Sequence, residues 1–146
     1  MRQGRRLGFD VGRARTGVAV SSPDGLFASP VGVALTVDEA LNFVREYEPI
    51  ELYVGLPLSL SGSFTASTDF AVDYARQLSS LTQLPVRLID ERLTTSSAAS
   101  LLRSAGKNSK SAKNSIDSAA ATLILEQALS IERAGSIPGK LPEELS

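Results

Sequence analysis

Three carboxylates, Asp10, Glu91 and Asp117, stand where a folded chain has least use for charge. Asp10 interrupts the alternating run LGFDVG, Glu91 follows the apolar Val86–Ile89 stretch, and Asp117 shares a helical stripe with Ala120, Ala121, Ile124, Ala128 and Ile131. Histidine and cysteine are both absent. Zinc fingers, Ser-His-Asp and Cys-His nucleophile pairs, imidazole bases and disulfide frameworks are therefore excluded together. What remains is carboxylate chemistry, with an oxygen-preferring cation such as Mg²⁺ or Mn²⁺. Two unit charges 4 Å apart repel by about 4 kcal/mol at an effective dielectric near 20, so converging acids need raised pKa values or bound cations. Two divalent ions ~4 Å apart can activate water and stabilise the leaving oxygen of a phosphodiester without histidine.

Each acid has a plainer alternative. Asp10 could pair with an arginine as a structural strand residue, although Gly8 and Gly12 on its own face leave it unshielded. Glu91 could pair with Arg92 or cap a helix starting near Thr95. Asp117 could cap a helix that starts late, but Asn114 and Ser115 are available for that duty.

The elements that must position these acids can be read from periodicity. Residues 5–11 alternate Leu7, Phe9 and Val11 against Gly8, Asp10 and Gly12, which is strand spacing and places Asp10 mid-strand. A second strand near 16–21, the turn Pro23-Asp24-Gly25 and a third strand near 26–34 complete an antiparallel meander. Thr36 and Glu39 form a capping box for a helix that stops at Pro49. Leu52–Val54 is a buried strand ending in a loop from Gly55 to Ser63, and glycines at both ends of that loop's apolar run suit closure over a substrate or a plain connection. Phe70, Tyr74 and Leu78 mark a helix ending before Pro85, and Val86–Ile89 is the last strand. Ala98, Leu101, Leu102 and Ala105 predict a short helix closed by Gly106, and residues 115–133 a long one suited to lying on a sheet. The result is an α/β fold with a mixed five-stranded sheet, whose site belongs at the carboxyl ends of the parallel strands. Residues 1–134 read as one domain, and 135–146, with two glycines and two prolines, as a flexible tail.

Net charge is −1, yet Arg2, Arg5, Arg6, Arg13 and Arg15, with Arg103, Lys107, Lys110 and Lys113, account for 9 of 15 basic residues. Two basic rims flanking the acids would meet phosphates, with Arg13, Arg15, Arg92, Lys107, Lys110 and Lys113 as the candidate contacts. Aromatic residues make up only 5%, so shape and backbone charge, rather than base stacking, are expected to carry recognition. Neither a signal peptide nor the ~18-residue apolar run of a membrane span is visible, and a soluble cytoplasmic protein, monomer or homodimer, is expected.

The runs LGFDVGRARTGVAV, YVGLPLSLSG, IDERLTT and IDSAAATLILEQAL, in that order across residues 6–130, resemble the YqgF/RuvX family of ribonuclease H-like nucleases. The resemblance implies a ribonuclease H-like fold and a bacterial cytoplasmic nuclease. Its assigned role is either 5′-end maturation of precursor 16S ribosomal RNA or Holliday-junction resolution, so its partner is precursor rRNA or branched DNA. By motif position the family's acids fall on Asp10, Glu91 and Asp117. Ser59-Leu60-Ser61 stands where the family often has Asn-Met-Asp, and Ser118 where lysine is frequent. Two rivals come from other classes. Asp10-Val11-Gly12 through Thr16-Gly17 also looks like the phosphate loop of the actin and sugar-kinase superfamily, which needs two such lobes. A non-catalytic ribosome assembly factor could use the same surface.

Overall fold

The alternating N-terminal residues fold as a meander of β1 (Arg6–Asp10), β2 (Thr16–Ser21) and β3 (Ala28–Ala34) in the computed structural model, which describes residues 1–93 and 110–145. Then follow α1 (Val37–Tyr47), β4 (Glu51–Leu56), α2 (Ala66–Thr82), β5 (Val86–Asp90), a 3₁₀ turn (Glu91–Leu93) and α3 (Lys110–Arg133). The sheet order is β3-β2-β1-β4-β5, with β1, β4 and β5 mutually parallel. The short helix expected at 98–106 lies outside the described residues.

Strand alternation divides the core in two. Leu7, Phe9, Val18, Val20, Leu52, Val54, Val86 and Leu88 point to the face covered by α1 and α2, where they pack with Ala40, Ala71, Tyr74 and Leu78. Burying a side chain of this kind is worth about 1.5–3 kcal/mol, so this face dominates stability. On the opposite face Ala19, Tyr53 and Ile89 meet Ala121, Ile124, Leu125, Ala128 and Leu129 of α3. Small residues let that helix sit close: a side chain on Gly8 would lie 3.0 Å from the Ala121 carbonyl oxygen and 2.9 Å from Leu125 Cβ. The bareness of Gly8 thus serves helix packing rather than ligand approach.

Local signals set the helix ends. Thr36 Oγ1 accepts from the Glu39 amide at 3.2 Å, while Glu39 reaches back to the Leu35 amide at 2.7 Å, one residue beyond the expected capping-box partner. The helix stops at Glu48, left-handed at φ 47°, just before Pro49. A reciprocal box does form at α2, between Thr65 and Thr68. The predicted loop begins later than expected, because Gly55 and Leu56 pair with Ile89 and Asp90 inside the sheet.

The segment after α3 is not the loose tail that its glycines and prolines suggest. Leu88 donates to the Lys140 carbonyl at 2.7 Å and Lys140 donates back at 3.1 Å, so the chain covers the outer edge of β5. Gly139, at φ +60°, makes this approach possible, since a Cβ there would fall 2.2 Å from the Leu88 carbonyl oxygen. Pro138 and Pro142 are buried, and Leu145 packs against the larger core.

The N-terminal basic cluster is also divided. Arg2 and Arg6 form ion pairs with Glu132 at 2.6 and 2.7 Å, Arg2 also pairs with Glu51 at 3.1 Å, and Arg6 is fully buried. Tyr53 donates to Glu51 at 2.5 Å within this network. Glu132 is held down to about 2: desolvation by burial, the largest influence, pushes it up, and the Arg2 hydrogen bonds and the Arg6 charge more than offset this. A strand rises about 3.3 Å per residue, so β1 itself carries Arg2 and Arg6 to the end of the sheet opposite Arg13 and Arg15. The N-terminal one of the two expected basic rims is therefore two separate features.

Candidate active site

Asp10 is the last residue of β1, at the carboxyl end of the strand rather than in its middle. Its parity, shared with Arg6 and Gly8, turns it toward α3. On β2 it faces Gly17, and on β4 the position following the Phe9–Val54 pair is Gly55. Both flanking strands therefore present no side chain beside the carboxyl group.

Those two glycines admit the other two acids. A Cβ on Gly55 would lie 2.9 Å from both Cγ and Oε2 of Glu91, so the Glu91 side chain occupies the space that Gly55 leaves open. Glu91 reaches it from the 3₁₀ turn after β5, where it continues the α3-facing parity of Arg87 and Ile89. A Cβ on Gly17 would fall 2.0 Å from the backbone oxygen of Asp117, so the third turn of α3 lies directly over β2. The helix begins at Lys110, which removes N-cap duty as an explanation of Asp117. Nothing in the one-dimensional sequence marks Gly17 and Gly55 as site residues; a register placing both beside Asp10 is the signal that finds them.

The electrostatics follow from this crowding. Burial, reinforced by the charges of Glu91 and Asp117, pushes Asp10 up to about 8, and Asp10 shares a hydrogen bond with Glu91. Burial also raises Glu91, the Asp10 hydrogen bond opposes this, and the Asp90 charge adds to it. Burial thus favours a protonated form of this hydrogen-bonded pair, which titrates as a unit. Asp117 is raised by burial and partly relieved by Arg15, whose Nε lies 3.5 Å from Asp117 Oδ2. Among the described residues, no three acidic side chains are close enough to make a ready-assembled cation cage. Asp117 leans toward Arg15 while Asp10 and Glu91 share their proton. The donor set nonetheless fits a hard divalent cation: the donors are all carboxylate oxygens, and a shared proton is what such a cation displaces.

The three candidate arginines all have partners. Arg13 lies over the Phe70 ring, 4.9 Å from its centroid, and Arg15 holds Asp117. Arg92 grips Asp90 with its nearest contact at 2.6 Å and reaches the Leu60 carbonyl at 3.4 Å. Lys107 lies outside the described residues, and of Lys110 and Lys113 only the helical backbone is described. In the loop after β4, Ser59, Ser61 and Ser63 hydrogen-bond in series and Leu60 is 95% exposed.

A five-stranded mixed sheet of this order, with acids at the carboxyl ends of β1 and β5 and on the helix across them, is a ribonuclease H-like fold. The solved structures agree. RuvC from T. thermophilus in complex with Holliday junction substrate superposes with a TM-score of 0.62 at 16% identity, over 92% of this chain and 98% of that one. Thermus thermophilus RuvC in a second structure gives 0.57 at 14% identity, with the same coverage.

At the level of family, the RuvX model, described as Holliday junction resolvase, matches residues 4–131, and the chain belongs to that family. A Clavibacter michiganensis relative bearing the name "Putative pre-16S rRNA nuclease" is 50% identical, over 97% of this chain and 92% of its own length. Relatives of the same name from Leifsonia xyli and Streptomyces coelicolor are 47% and 45% identical, over 99% and 96% of this chain and 97% and 89% of their own lengths.

Proposed function

We propose that this chain is a divalent-cation-dependent nuclease that processes the 5′ end of precursor 16S rRNA, with Asp10, Glu91 and Asp117 as its catalytic acids. The observation that carries the reading is the approach of Glu91 and Asp117 to Asp10 at the carboxyl end of the parallel strands, where Gly55 admits the Glu91 side chain and Gly17 the Asp117 backbone. The substrate comes from the names of relatives that match nearly the whole chain at 45–50% identity.

Asp10, Glu91 and Asp117 would hold Mg²⁺ or Mn²⁺. When bound, the cations supply Lewis acidity that lowers the pKa of the attacking water and offsets charge on the leaving oxygen. The protein's own residues do the rest. Asp10 gives up its shared proton as the site loads, and Gly17 and Gly55 let the Asp117 backbone and the Glu91 side chain close in beside it. Arg15 exchanges Asp117 for a backbone phosphate, which frees the carboxylate to join the other two. Arg13 and Arg92 would serve as further phosphate contacts, with Lys107, Lys110 and Lys113 as the other candidates the sequence offers. No helix among the described residues is long and apolar enough to cross a membrane, and cytoplasmic action on rRNA fits that finding.

A second reading, resolution of branched DNA, is favoured by the family description and the RuvC fold. One experiment addresses both. Purified protein is given precursor 16S rRNA and a four-way DNA junction with Mg²⁺, Mn²⁺ or EDTA, beside Asp10→Asn, Glu91→Gln and Asp117→Asn. Cation-dependent RNA cleavage that falls at least about 100-fold in each folded variant is expected. Cleavage confined to the junction transfers the assignment to DNA, and undiminished cleavage by all three variants rejects the site.

A further inference from the structure

On the far side of the β1–β2 turn from α3 lies a cavity of about 310 Å³, between the start of α1 and the first three turns of α2. Gly12 and Arg13 form its mouth, two and three residues beyond Asp10. At ~3.8 Å per residue the cavity opens within about 11 Å of chain from Asp10. Its walls are mixed in character. Leu35, Val37 and Phe70 are apolar, Thr16, Tyr74 and Gln77 offer hydrogen bonds, and the Arg13 guanidinium covers the Phe70 ring.

Two independent features point to a ligand. The Tyr74 hydroxyl is fully buried and lacks a hydrogen bond of good geometry, with the Thr16 hydroxyl as its polar neighbour; the residue is only 8% exposed. A hydroxyl held this loosely by Thr16 would gain from a ligand polar group that reached it. The cavity also receives the amino terminus of α1 through Thr36 and Val37, where the helix dipole favours an anion. Asp73 at the rim does not oppose this strongly, because its carboxylate pairs with Arg76 at 3.7 Å.

An aromatic face, an adjacent guanidinium, a helix amino terminus, buried hydroxyl groups and an exposed amide form the complement of one nucleotide: a flat base, with a phosphate beside it. We propose that this cavity receives a single unpaired nucleotide of the substrate strand next to the cleaved phosphodiester, with its base on Phe70 and its polar edge toward Tyr74 and Gln77. The proposal rests on the nuclease reading for its strand and adds a base-reading subsite to it. It also reverses the expectation, drawn from 5% aromatic content, that stacking plays no part: Phe70 and Tyr74 are few but are placed beside the site.

The test is binding in EDTA, so that cleavage plays no role. Full-length protein is titrated with short single-stranded RNAs, intact or carrying one abasic position scanned along the strand. One abasic position is expected to weaken binding at least about 5-fold, the share that base stacking supplies. Phe70→Leu, which keeps the apolar volume, and Tyr74→Phe, which removes only the hydroxyl, are expected to weaken the intact strand by about 5-fold and about 3- to 10-fold, and to leave the abasic strand unchanged. Equal affinity for intact and abasic strands, or equal effects of the variants on both, overturns the proposal. So does a nucleoside 5′-monophosphate that binds as tightly as the strand, which would make the cavity a site for a free nucleotide. Base-dependent binding without cleavage in Mg²⁺ leaves the cavity standing and rejects the nuclease reading, and cleavage without base dependence does the reverse.

Discussion

The shared proton of Asp10 and Glu91 has a thermodynamic signature that is independent of catalysis. In the cation-free folded state Asp10 is pushed up to about 8, from an ordinary value of 3.8 in the unfolded chain. The native state therefore binds a proton that the unfolded state has lost, and between these two values stability falls as pH rises. The contribution is fully present below about pH 4 and gone once pH exceeds about 8. At 1.36 kcal/mol per pH unit, the three units from pH 5 to pH 8 correspond to at most about 4 kcal/mol. Coupling to Glu91 spreads and reduces that slope, so a loss of a few kcal/mol is expected. Asp10→Asn keeps the shape, removes the titration and should lose much less over the same range. Urea denaturation in EDTA at pH 5, 6, 7 and 8, followed by circular dichroism, measures this difference directly. Adding Mg²⁺ at pH 8 should restore wild-type stability by RT ln(1 + [Mg²⁺]/Kd), about 2.7 kcal/mol at 100 times Kd, with little effect on Asp10→Asn. Parallel pH profiles for the two proteins would mean that Asp10 is not held in a shared-proton pair, and the geometric reasoning for the site would fail with it.

The two flanking glycines should differ in a predictable way. Gly55→Ala places its methyl against the Ile124 and Glu91 side chains, which can give way; a stability loss of about 1–2 kcal/mol with severely reduced cleavage is expected. Gly17→Ala meets the Asp117 backbone at 2.0 Å, so α3 itself must move, and thermal denaturation should show the larger loss, about 3 kcal/mol or more. At the other end of the sheet, Glu132→Gln leaves the fully buried Arg6 without its carboxylate and should cost about 3–5 kcal/mol at pH 7. Glu132 is held down to about 2, so its contribution is present above its unfolded value and lost as pH falls toward 2. The variant and wild type should converge on acid titration of stability. Arg15→Gln should weaken nucleic-acid binding about equally across sequences and reduce the dependence of log K on log salt by about one, measured by fluorescence anisotropy in EDTA.

The order of strands and helices was legible because alternation and the 3.6-residue stripe are local, and β2 runs over Thr16–Ser21 as the sequence suggested. The expectation of carboxylate chemistry came from composition alone, because a chain without histidine or cysteine leaves carboxylate oxygen as its hard ligand. The docking of residues 136–145 was not. Their glycines and prolines signal the absence of helix, and only the unpaired edge of β5 makes an extended segment useful there. The basic N-terminal cluster misled for a related reason: neighbours in sequence end up at opposite ends of a strand.

What the sequence determined alone was therefore the inventory: which elements form, which faces are apolar, and which three acids lack an ordinary place. Tertiary structure decided how the acids meet. Asp10 and Glu91 share a proton because Gly55, one strand away from each, leaves a gap the width of a side chain, and Asp117 lies above because Gly17 admits the helix backbone. A missing Cβ has no consequence until a register puts it beside something, and register is a long-range property that no local pattern contains.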